Sequence, residues 1–115
     1  MITRLLIMLL IPLNLIVAQN QDQIQLANEY YQQGDLEKAR LLYEELIENP
    51  YNIQLVAGNY LSLLKSTGEF NDAENFLQKA IKSFPSNLQF QANLAAVYSE
   101  SGDLNKLESY IKNLR

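Results

Sequence analysis

With no histidine and no cysteine among its 115 residues, the side chains through which this chain could do chemistry are carboxylates, tyrosines, hydroxyls and amides. That removes imidazole and thiolate metal ligands, the cysteine nucleophile and the usual general base near neutral pH. Glu44 with Glu45, Glu69 with Asp72, and Asp22 with Glu29 could nominally form acid and base pairs. All of them fall at helix-surface positions near Lys38, Arg40, Lys79 and Lys82, where solvated charge is the ordinary condition. Gly34, Gly58, Gly68 and Gly102 are each isolated, so no glycine-rich phosphate loop occurs. The serines have no histidine to activate them. No catalytic residue, metal or cofactor is therefore expected. Recognition remains, and for that Asn28, Asn59 and Asn93 are suited, because a side-chain amide both donates and accepts and can hold a peptide backbone whatever its sequence.

Such residues need a scaffold. The chain is 48% apolar and 19% charged, the balance of a folded globular domain, with a length suited to one domain. Four glycines and three prolines are few for a loop-rich β fold, while Leu, Glu, Gln, Lys and Ala favour helix, so the expected class is all-α. The net charge of −4 is spread without a basic block, which leaves no electrostatic footprint for a phosphate backbone. Nucleic acid is not an expected partner.

The first eighteen residues differ in kind. Arg4 is followed by an apolar run from Leu5, interrupted by Pro12 and Asn14, and the sequence turns polar after Ala18. This is the layout of a secretory signal peptide over residues 1–18, with cleavage before Gln19 and a mature domain over 19–115. Leu5 to Ala18 is 14 residues, short of the roughly 20 that a membrane-spanning helix needs. Export to a periplasm, cell envelope or extracellular space is expected, with no stable membrane insertion after cleavage.

The remainder repeats. Gly34, Gly68 and Gly102 stand 34 residues apart each time, and each is followed by an acidic residue. In the same register Leu26, Tyr60 and Leu94 are equivalent, as are Tyr30, Leu64 and Tyr98 before the glycine. After it come Leu36, Phe70 and Leu104, then Ala39, Ala73 and Leu107, then Tyr43, Leu77 and Ile111, then Leu46, Ala80 and Leu114. These offsets trace an apolar stripe on each of two helices per unit. The predicted helices cover 22–33, 36–48, 52–66, 70–83, 87–100 and 104–114, with Pro50 and Pro85 punctuating the far ends. The repeats run over about 20–52, 53–87 and 88–115. An exposed apolar edge is expected near Leu94, Val97 and Leu114 in the last unit, where self-association, a partner or further repeats of a longer parent would find a surface.

The 34-residue period, the Leu-Ala before tyrosine in LANEYY and LAAVYS, the glycine-acid turn, and Ala39 and Ala73 resemble the tetratricopeptide repeat over essentially the whole mature chain. The resemblance implies an α-solenoid of three antiparallel helix-turn-helix repeats, acting as a protein-interaction scaffold. Departures are the absence of tryptophan at Gln23, Ala57 and Gln91, Leu61 in place of a small residue, and Leu107 in place of alanine. The pentatricopeptide repeat has a similar period, but its RNA-reading surfaces are basic.

The resemblance further implies a concave groove lined by the first helix of each pair, with Asn28, Tyr31, Asn59, Ser62, Lys65 and Asn93 as partner-binding residues. Gln25, Gln32, Ser66, Gln89 and Ala96 are expected to face the same groove. Some members of the family clamp a C-terminal carboxylate with two asparagines and basic residues. Asn28 and Asn59 match those asparagines, but Ile24, Gln89 and Asn93 stand where the bases belong, which removes the strongest contacts to a carboxylate. The expected function is a non-catalytic scaffold binding a peptide or helix of a partner protein. The alternative is a structural unit that stacks through its exposed ends.

Overall fold

The computed structural model describes residues 13–114, with side chains from Asn20 onward. The proposed signal segment thus falls on residues 1–12, outside the described residues, and on 13–18, where the backbone alone is described. Among the described residues the elements are six α-helices and one short 3₁₀ turn, with no strand. We label the helices α1 (Leu13–Gln32), α2 (Leu36–Leu46), α3 (Ile53–Ser66), α4 (Phe70–Ser83), α5 (Leu88–Glu100) and α6 (Leu104–Asn113). Five of the six begin within one residue of their predicted starts. The exception is α1, which starts at Leu13 instead of residue 22, because neither proline nor glycine occurs from Leu13 to Gln32 to interrupt it. Contacts divide the chain into two compact units, one ending at Leu46 and the other beginning at Ile47. The first holds α1 and α2, and the second holds α3 to α6.

Within each hairpin the turn is built as the sequence anticipates. Gly34, Gly68 and Gly102 have φ of +82°, +73° and +80°, the left-handed region that lets a helix end without a Cβ clash. The following amide donates back five residues, Asp35 N to Tyr30 O at 2.9 Å, Glu69 N to Leu64 O at 2.8 Å and Asp103 N to Tyr98 O at 3.1 Å. The glycine amide donates to the carbonyl three residues earlier in each case, completing a Schellman cap that satisfies carbonyls the helix leaves open. At the next helix start, the Asp103 carboxylate accepts from Lys106 N. At α5 the Asn87 side chain accepts from Gln89 N, which caps the helix that will carry Asn93.

The apolar stripes bury unevenly. In the second unit Ile53, Val56, Tyr60, Leu63, Leu64, Ala73, Phe76, Leu77, Ala80, Phe90, Leu94, Val97 and Tyr98 are buried. Tyr60 and Phe76 meet edge to face at 5.0 Å, which ties α3 to α4. Helix α6 buries no residue fully. Leu104 is 65% exposed, Ile111 46% and Leu114 52%, while Leu107 is half-buried. The apolar edge of the last hairpin therefore lies on α6. Leu94 and Val97, expected on that edge, are buried because α5 sits between α4 and α6 and packs against both. Leu26 in the first unit is 40% exposed, so its stripe position is only partly covered.

Candidate functional site

The predicted binding residues all sit on first helices of hairpins. Asn28 and Tyr31 are on α1, Asn59, Ser62 and Lys65 on α3, and Asn93 on α5. In the second unit the structure brings three of them together. Ser62, Lys65 and Asn93 line one recess of about 180 Å³ with Gly58, Leu61 and Val97. Spacings of i, i+4 and i+7 put Gly58, Ser62 and Lys65 on one face of α3, and Asn93 and Val97, four apart, face them from α5. Asn59 is half-buried on the same helix but does not line this recess. Asn28 and Tyr31, both half-buried, belong to the first unit.

Each amide's hydrogen-bonding state narrows what it can do. The Asn28 oxygen accepts from the Tyr43 hydroxyl at 2.5 Å, so part of that side chain holds α1 to α2. Asn93 Oδ1 accepts from Gln89 Nε2 at 2.9 Å, one helical turn away, which engages one lone pair of the amide oxygen. Lys65 is not a bare cation. Its Nζ lies 3.3 Å and 3.4 Å from the two carboxylate oxygens of Glu100, which joins the last turns of α3 and α5. A half-exposed pair of this kind contributes at most about 1 kcal/mol, yet it neutralises the rim of the recess. Glu100, Gly58, Leu61 and Val97 were absent from the sequence-derived site. The i, i+4, i+7 spacing from Gly58 to Lys65 was the signal available for the glycine; the Glu100 pairing, 35 residues from its partner, had none.

A second polar cluster lies elsewhere on the same unit. Tyr98 donates to Glu74 Oε1 at 2.9 Å, and Lys106 Nζ donates to Glu74 Oε2 at 3.1 Å and stands 5.9 Å from the Tyr98 ring centroid. Burial, reinforced by the Glu74 carboxylate, pushes the Tyr98 phenol up to about 12, so it stays protonated and acts as a fixed donor. Tyr110, edge to face with Tyr98 at 5.8 Å, is raised by burial as well. This arrangement fastens α4, α5 and α6 together. A raised folded-state value means the proton is held more tightly in the folded chain. The resulting stabilisation is complete below the unfolded value near 10 and is lost as pH rises through 12. Tyr98→Phe is expected to cost about 2 kcal/mol at pH 7, as a hydroxyl donor to a carboxylate is removed. It should also reduce the decline in urea midpoint between pH 10 and 12. An unchanged alkaline profile in the variant would show that Tyr98 is not the group responsible.

No group of three or more acidic side chains that could hold a metal ion occurs among the described residues. No described helix is long and apolar enough to cross a membrane.

Helical hairpins joined by left-handed glycine turns at a 34-residue period define a helical-repeat protein. A family model described as tetratricopeptide repeat matches residues 23–50 and 56–87, more than half of the chain, and the chain belongs to that family. The third hairpin lies outside the matched segments and carries the same turn geometry at Gly102. The fold class is thus all-α, of the helix-turn-helix repeat type that builds α-solenoids. Repeats of this family generally mediate protein–protein interaction and are generally non-catalytic. A comparison with curated proteins returned no match.

Proposed function

We propose that this chain is an exported, non-catalytic interaction module that binds a segment of a partner protein along the first helices of its hairpins. The observation that carries the reading is the recess lined by Ser62, Lys65 and Asn93, in which residues from two successive first helices converge on one polar-walled site. Asn59 lies on the same helix as Ser62 and Lys65, and Asn28 and Tyr31 lie on the first helix of the first unit. The export half of the reading rests on the signal-like composition of residues 1–18 and the break to polar sequence after Ala18.

A library of displayed twelve-residue peptides selected on the mature chain provides the test. Peptides recovered should bind Asn93→Ala and Lys65→Ala at least about tenfold more weakly than the parent, the equivalent of ~1.4 kcal/mol. Recovered peptides that bind both variants as tightly as the parent, or a library that yields none, would remove the groove from consideration. A second reading, assembly with another copy, is favoured by the exposure of Leu104 and Ile111 on α6 and of Leu114 just past its end.

A further inference from the structure

Helices α4 and α6 hold the same place in successive hairpins, yet their apolar stripes are covered to opposite degrees. On α4 Ala73, Leu77 and Ala80 have no exposed surface, and α5 packs against that helix. The positions 34 residues on are the half-buried Leu107 and the exposed Ile111 and Leu114, with Leu104, also exposed, at the head of the same stripe. Leu104, Leu107 and Ile111 line an open recess of about 400 Å³, and Glu108 and Lys112 complete its lining. A contiguous apolar face of this kind marks a surface that another molecule covers.

The side chains of α1 oppose a head-to-tail stack of copies. In the 34-residue register Asp22 and Glu29 take the places that Phe90 and Val97 hold on α5, where both are buried. Laid on α6 of a second copy as α5 lies on α4, α1 would press two carboxylates onto leucine and isoleucine and strip them of water. Helix α6 can instead meet itself. Glu108 and Lys112 lie one turn apart on the same flank, joined at 2.9 Å, and both are largely exposed. A two-fold axis crossing α6 near Tyr110 keeps that flank on the same side and reverses its direction, so Glu108 of each copy falls beside Lys112 of the other. The single acid and base of the flank then make two matched pairs across the axis.

We propose that α6 pairs antiparallel with α6 of a second copy, so that Leu104, Leu107 and Ile111 of the two chains cover one another and Glu108 meets Lys112 across the axis. This rests on the assembly reading above and is independent of the groove on the first helices. Because the same patch serves both copies, the pairing closes at a dimer and no filament follows. Contact along one ten-residue helix, roughly 15 Å in length, places the dimer in the small, reversible class of interface.

Sedimentation equilibrium of the mature chain, loaded from about 10 μM to about 1 mM, measures the association. The parent should pass from monomer to dimer and no further. Glu108→Lys and Lys112→Glu each set like charges together across the axis and should weaken self-association about tenfold. Both side chains are exposed, so the variants keep the fold, which circular dichroism checks. Mixed in equal amounts, the two variants should dimerise as strongly as the parent, since each then supplies the charge the other lacks. A parent that stays monomeric throughout overturns the proposal and the assembly reading together. Association that neither variant weakens, that mixing does not restore, or that grows past the dimer overturns the α6 pairing and leaves the assembly reading standing.

Discussion

Leu77→Ala should lower the stability of the second unit by about 3 kcal/mol, the middle of the range for truncating a fully buried leucine. Leu77 is wholly buried on α4, along with Leu63 and Leu64 on α3. Removing its branched end forfeits apolar burial and leaves a void that the helices close only in part. Helical-repeat chains gain stability by adding repeat and neighbour contributions, so each core position in a short array carries a large share of the total. A shift in urea midpoint with an unchanged slope would register the loss. Leu104→Ala on α6, where the side chain is 65% exposed, is the control and should move stability by no more than about 0.5 kcal/mol. Equal effects at the two positions would contradict the burial pattern described above.

Ala73→Leu is expected to cost about 2 kcal/mol by the opposite route. Ala73 has no exposed surface on α4, and the small residue permits close approach at that crossing. Three added carbons have to displace neighbours that already sit at crystal-like density. The equivalent position in the next repeat is already Leu107, half-buried on α6, a helix without a single fully buried residue. Leu107→Ala should consequently change stability far less than Ala73→Leu. If Ala73→Leu melted with the parent, the α4 crossing would have to be looser than its complete burial indicates.

Much of the architecture was legible because its causes are local. A left-handed turn selects glycine, and Gly34, Gly68 and Gly102 all adopt positive φ. Pro50 begins the short 3₁₀ turn that precedes α3, with Asn49 accepting from Tyr51 N beside it, and Pro85 follows the end of α4. Where a local signal was lacking, the boundary moved, as at the start of α1. The candidate site was legible in part. Counting from the turn glycines placed Ser62, Lys65 and Asn93 on first helices, but it did not distinguish Asn28, engaged with Tyr43, from Asn93, engaged with Gln89.

The sequence by itself determined the period, the hairpins, the turns and which way each stripe side chain leaves its helix, because all of these follow from backbone preferences and the 3.6-residue pitch. Only the tertiary structure decided which stripe positions are covered, since burial depends on the helix that packs opposite. Leu94 and Val97 are buried with α5 placed between α4 and α6, whereas Leu104 and Ile111 on α6 stay open to solvent. The same dependence on neighbours paired Lys65 with Glu100 across 35 residues and brought Ser62 and Asn93 into the lining of one recess.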